Sequence, residues 1–100
     1  MRITVVGLPG SGKTRLAEQL SKKYGIPHIH LDRFWFESGG PALTHGTSPD
    51  ELARIRAQVR EKVLGAIAGE NWVSDGFYSR VQPDIAGRAD TIIYLDVPLL

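Results

Sequence analysis

Apolar and polar positions along the chain switch repeatedly between two periods. Ile3 to Gly7 opens with a short apolar, β-prone run, the pattern of a buried strand. From about Gly12 to Tyr24 the period lengthens: Leu16, Ala17, Leu20 and Tyr24 recur at helical spacing and Gly25 supplies the stop. Ile26 to Leu31 predicts a second strand at or near a sheet edge, started by Pro27, which cannot donate to a ladder. Asp32 then falls at its carboxyl end. Glu37 to Pro49 is rich in Gly, Pro, Ser and Thr, a loop long enough to be mobile or to act as a substrate-facing lid. Ser48 predicts an N-cap, with Pro49 at the first helical position and Glu51 completing a capping box. The helix that follows lines Leu52, Ile55, Val59, Val63 and Ile67 along one face. Asn71 to Asp75 reads as a third strand with Trp72 in the core, Pro83 to Arg88 as a short helical turn, and Thr91 to Val97 as a fourth strand closed by Pro98.

Strands that alternate with helices imply an α/β fold, a parallel sheet with helices on both faces, whose ligands lie beyond the carboxyl ends of the strands. The P-loop described below, Asp32 and Asp75 all belong to that edge. A length of 100 residues, 42% of them hydrophobic, supports one core, so residues 1–100 are expected to form a single domain. Twelve basic and eleven acidic residues leave a net charge of +1, too little for a field that would hold the chain on nucleic acid or an anionic bilayer. Arg54, Arg56, Arg60 and Lys62 on the long helix read as a solvated face. The absence of cysteine removes disulfides and thiolate metal sites. With no leader pattern and no apolar run near the roughly twenty residues that span a bilayer, a soluble cytoplasmic location is expected.

Gly7-Leu8-Pro9-Gly10-Ser11-Gly12-Lys13-Thr14 has the spacing G-x-x-x-x-G-K-[ST], placed between a predicted strand and a predicted helix. This is the pattern of a P-loop. Glycines let the chain wrap closely around phosphates with its N–H groups turned inward, and the helix that follows aims its positive end at the anion. Lys13 would reach the β and γ phosphates and the Thr14 hydroxyl would ligate Mg²⁺. The implied cofactors are ATP and Mg²⁺. His28, His30 and His45 show no metal-like mutual spacing and read as structural.

Asp75-Gly76-Phe77 resembles the Asp-Gly-Phe segment of adenylate kinases and other nucleoside monophosphate kinases, and Leu95-Asp96-Val97-Pro98 resembles their next strand. His30-Leu31-Asp32, Trp72-Val73 with Asp75-Gly76, Tyr78-Ser79-Arg80 and Ala89-Asp90-Thr91 are similar to a bacterial subgroup known as DNA topology modulation proteins. The resemblance implies strand order 2-3-1-4, with a fifth strand and an arginine-bearing lid expected beyond Leu100. It implies Asp75 as a Walker-B-like carboxylate for the metal, where the residues alone also allow a turn aspartate before Gly76. Asp32 would sit near the acceptor, to orient a hydroxyl, accept its proton or help hold the metal; a helix-capping role is the alternative. Arg33 and Arg80 would clamp an anionic acceptor or serve as surface ion-pair partners. Trp35, between Phe34 and Phe36, would wall the acceptor pocket or close the core. Gly76 and Tyr78 complete the expected acceptor-binding set. In adenylate kinases an arginine stands two residues after the phenylalanine, following proline; here Phe77-Tyr78-Ser79-Arg80 is one residue longer and lacks the proline.

The resulting expectation is a kinase that moves the γ-phosphoryl group of Mg·ATP to a small-molecule or nucleotide acceptor, with Lys13, Asp32 and Arg80 in catalytic roles. The alternative is a nucleotide-dependent regulatory or DNA-related module that does not turn over. Membrane partners are not implied. The apolar fourth strand, left as a sheet edge, predicts homo-oligomerisation.

Overall fold

The computed structural model describes residues 1–7, 11–39, 46, 48–76 and 80–95. The chain runs β1(Arg2–Gly7), α1(Lys13–Tyr24), β2(His28–His30), α2(Leu31–Glu37), α3(Pro49–Ile67), β3(Trp72–Asp75), α4(Gln82–Arg88) and β4(Thr91–Leu95). All pairings are parallel and the strand order is β2-β3-β1-β4, as expected. The register sets Val5 opposite Asp75, His30 opposite Asp75 and Gly7 opposite Leu95, so the carboxyl ends of all four strands share one edge.

The sheet separates two cores because successive side chains along a strand leave on opposite faces, and β3 contributes to both, Trp72 to one and Val73 to the other. Ile3, Val5 and Val73 join Ala17 of α1 and Ile26 on one face, with Leu16, Leu20, Ile93 and Leu95 packed against them. On the other face Ile29, Leu31 and Trp72 meet Ile55, Val59, Val63 and Ile67 of α3 and Ile85 of α4. The apolar stripe expected for α3 is therefore the one that is buried, and Leu52 is partly exposed at its start. Ser48 caps α3 as its sequence predicts, accepting from the Glu51 N–H at 3.2 Å. Trp72 is fully buried, and its indole N–H donates to the Ile67 carbonyl at 3.1 Å, which gives the buried ring's polar atom a partner.

Three expectations need correction. Tyr24 does not join the buried stripe of α1; it is exposed, with the Lys23 ammonium 5.4 Å from its ring centroid. The second strand is shorter than Ile26 to Leu31, because Leu31 turns into a seven-residue helix, α2, that has no counterpart in the strand-and-loop reading. In α2, Leu31 is buried and Phe34 and Trp35 pack on the α3 core at helical spacing, whereas Phe36 points to solvent. The short turn expected from Pro83 is a complete helix, Gln82–Arg88. Residues 96 and 97 of the expected fourth strand, and residues 40–45 and 47 of the expected lid loop, lie outside the described residues. Among the described residues no helix is long and apolar enough to cross a membrane.

Candidate functional site

At the carboxyl end of β1 the backbone is crowded. A Cβ on Gly7 would lie 2.3 Å from the Leu95 carbonyl oxygen and 3.0 Å from Ser11 Oγ, so the close approach of β1, β4 and the loop requires glycine. Gly12 adopts φ 85° and ψ 17° at the N-cap of α1, a left-handed conformation natural to glycine, and no side chain caps the helix. The first turn of α1 carries no acidic residue, while Lys22 and Lys23 stand in its last turn, so the helix start offers uncapped N–H groups and an unneutralised positive end. Lys13 Nζ donates to the Gly7 carbonyl at 3.3 Å, which folds the ammonium back over the loop. Ser11 Oγ is buried without a hydrogen-bond partner among the described residues, a position that costs about 1–3 kcal/mol unless an acceptor or donor comes to it. Leu8, Pro9 and Gly10 lie outside the described residues.

Asp75 ends β3 one strand away and is fully buried. The Thr14 hydroxyl donates to its Oδ1 at 3.1 Å. Two oxygen donors of the kind Mg²⁺ prefers, a hydroxyl and a carboxylate, are thus adjacent at the start of α1, and with the loop they fit a magnesium nucleotide. Parallel pairing of β2 with β3 brings two imidazoles to the same carboxylate. His30 Nδ1 donates to Asp75 Oδ1 at 2.6 Å, and His28 Nε2 donates to Oδ2. The sequence reading of His28 and His30 as structural did not anticipate this convergence: the three side chains offer ligand atoms that all lie within 4.8 Å of one another. The overlooked signal is the i, i+2 spacing in His28-Ile29-His30, which in a strand puts both imidazoles on one face. Their convergence on Asp75 is a property of strand pairing. His45 lies outside the described residues.

The remaining acceptor candidates divide. Gly76 has φ 93°, and a Cβ on it would lie 3.2 Å from Leu31 Cβ and 3.7 Å from Asp32 Oδ1. The bare, left-handed turn after β3 therefore lets the start of α2 close over it, and the Asp32 carboxylate stands beside the turn that follows Asp75. Asp32 is in the first turn of α2 rather than at its cap; the N-cap residue is His30, which makes no side-chain cap hydrogen bond. Its negative charge suits the helix start, and the side chain is exposed. Arg33 is exposed on α2, and Trp35 packs against the core, which leaves it only partly available as a pocket wall. Arg80 stands beside α3. It lines an open groove of about 510 Å³ with Ala53, Arg56, Ala57 and Arg60 of α3. Arg60 braces that groove, its Nη1 donating to the Arg80 carbonyl at 3.0 Å and to Asp84 Oδ2 at 3.1 Å. Arg56 and Arg60 thus share a concave surface with Arg80 instead of forming only a solvated helix face. Tyr78 lies outside the described residues.

Known proteins share this fold. The chain is 30% identical over 117 aligned positions to an adenylate kinase of Listeria monocytogenes, covering 97% of this chain and 54% of that protein. It is structurally similar to the shikimate kinase of Aquifex aeolicus, with a TM-score of 0.68 at 21% identity, over 99% of this chain and 61% of the other. The shikimate kinase of Bacteroides thetaiotaomicron superposes with a TM-score of 0.62 at 24% identity, over 94% of this chain and 56% of the other. These structural likenesses establish the P-loop kinase fold, and the chain spans about half the length of the curated relative it matches. A family model described as an AAA domain matches residues 6–99, nearly everything from the end of β1 onward, and the chain belongs to that family.

Proposed function

We propose that this chain is the nucleotide-binding part of a P-loop phosphotransferase, moving the γ-phosphoryl group of Mg·ATP to a small-molecule or nucleotide acceptor. The observation that carries the reading is the pairing of Thr14 with Asp75 at the uncapped start of α1, beside Lys13 and the unpartnered Ser11 hydroxyl. Similarity to proteins named adenylate kinase supports the reaction class. The motifs shared with DNA topology modulation proteins favour that bacterial subgroup.

Bound magnesium would supply charge neutralisation at the transferring group. Thr14 and Asp75 are the residues suited to hold it. Lys13 and the α1 amides bind and orient the phosphates, and Ser11 offers them its hydroxyl. Asp32 accepts the proton of the acceptor hydroxyl as its oxygen bonds to the γ-phosphorus and the bond to the β,γ-bridging oxygen breaks, releasing ADP, a role its exposed carboxylate beside Gly76 allows. Arg80, with Arg56 and Arg60 in the same groove, draws in an anionic acceptor. Transfer is direct, and no covalent enzyme intermediate is needed. Partner contacts follow the same logic: exposed Ile92 and Tyr94 on edge strand β4 favour association with a second copy of the chain.

The test is calorimetric titration of Mg·ATP at fixed ionic strength into the chain and into Lys13→Ala, followed by a screen for ADP release with candidate acceptors. Binding lost in Lys13→Ala, with acceptor-dependent ADP, supports phosphoryl transfer. Binding without turnover, accompanied by salt-sensitive association with DNA that ATP alters, would support the regulatory reading instead.

A further inference from the structure

The geometry points to a second metal-binding mode at this edge of the sheet: His28, His30 and Asp75 form a site for a divalent transition metal of the zinc class. The donor set differs in kind from the oxygen pair suited to magnesium. Two imidazole nitrogens and one carboxylate make the three-ligand combination that zinc and its neighbours take, with a remaining position for water, whereas magnesium favours oxygen and keeps its water.

The site is built, and its ligands are aimed. His30 stands in register with Asp75 across the parallel pair, and His28 lies two residues earlier on the same face of β2. The atoms turned to the carboxylate are His28 Nε2 and His30 Nδ1, one on each carboxylate oxygen. The imidazole centroids are 6.0 Å apart with planes inclined at 47°, so the rings converge on the carboxylate without stacking on each other. All three ligand atoms lie within 4.8 Å of one another, and zinc takes such nitrogen and oxygen ligands at about 2.0–2.2 Å. Asp75 is fully buried while the side chains of His28 and His30 are 17% and 25% exposed, so an ion enters from the imidazole side. Each coordinating nitrogen gives up the proton that it now donates to Asp75, and the carboxylate exchanges two hydrogen-bonded protons for one divalent charge.

Metal binding here does not depend on the chain's being a phosphotransferase. One consequence does rest on that reading: Asp75 is the carboxylate expected to hold magnesium, so the two ions compete for it.

The experiment uses Co²⁺ as the probe, titrated into the nucleotide-free chain and followed by its visible ligand-field absorption. One equivalent of Co²⁺ should bind, Zn²⁺ should displace it, and affinity should fall at least about tenfold in His28→Gln and in His30→Gln while His45→Gln keeps it. Should either variant misfold, ¹⁵N imidazole spectra of the unaltered chain decide the matter: Zn²⁺ should shift His28 Nε2 and His30 Nδ1 selectively. No binding, binding that survives in folded His28→Gln and His30→Gln, loss confined to His45→Gln, or unshifted His28 and His30 nitrogens would each overturn the proposal. Because no nucleotide is added, failure here leaves Mg·ATP binding untouched, and failure of Mg·ATP binding leaves this result standing.

Discussion

Thr14 donates its hydroxyl proton to the Oδ1 of Asp75 at 3.1 Å across sixty-one residues of sequence, joining the start of α1 to the end of β3. The same buried carboxylate accepts from His28 and His30, so three polar side chains depend on one acceptor. Asp75→Ala is expected to destabilise the fold by about 3–5 kcal/mol, as loss of one partner from a buried charged cluster does. Urea denaturation checks this through a lower midpoint at unchanged slope.

Among the described residues Lys13 makes one hydrogen bond, to the Gly7 carbonyl, and it is absent from the core. Lys13→Ala should weaken Mg·ATP binding at least about tenfold, the loss of one charge-assisted contact, while unfolding free energy changes by less than about 0.5 kcal/mol. Calorimetry and thermal unfolding on the same sample separate the two effects.

Trp72 packs among Ile29, Leu31, Val63, Ile67 and Ile85 in one core and also pairs its N–H with Ile67. Trp72→Ala opens a cavity in that core and should cost about 3–5 kcal/mol, while the Ile67 carbonyl keeps its hydrogen bond from Arg88 Nε. Trp72→Phe should recover most of that loss. Parity of the two variants in urea denaturation would contradict the packing account.

Asp90 ties the start of β4 to the start of β1. Its Oδ2 accepts from the Arg2 N–H at 2.9 Å and its Oδ1 accepts from the Thr91 hydroxyl at 3.0 Å. The Arg2 backbone hydrogen bond is the main reason that the Asp90 carboxyl titrates below the ordinary value of 3.8. A carboxylate depressed on folding contributes stability that is present above its unfolded value and lost as pH falls through the folded one. Denaturation midpoints should therefore drop on acidification below pH 3.8, and Asp90→Asn should lose that component of the slope.

Ile92 and Tyr94 are 58% and 62% exposed on β4, which among the described residues pairs only with β1. A bare apolar edge favours association, and a charge placed on it opposes pairing. Sedimentation velocity should show concentration-dependent self-association that Ile92→Lys/Tyr94→Lys abolishes. A chain that remains monomeric at high concentration would remove this edge as a contact surface.

The sequence by itself determined the order of the four strands and of helices α1, α3 and α4, the Ser48 cap, the buried stripe of α3 and the P-loop motif. Each of these is written in residues within a few positions of one another, where period, capping and glycine placement act locally. Thr14 and Lys13 were legible as candidates for the same reason, and Asp75 and Asp32 through short segments that resemble those of nucleoside monophosphate kinases. Only the tertiary structure decided that His28 and His30 meet Asp75, because parallel pairing joins side chains 47 and 45 positions apart and no spacing in the chain encodes that register. It also decided α2, where an aromatic run of weak helical preference folds as a helix since Leu31, Phe34 and Trp35 can all reach the α3 core. The arginine groove has the same origin: Arg56 and Arg60 look like solvated positions along α3 until packing of the turn before α4 brings Arg80 beside them.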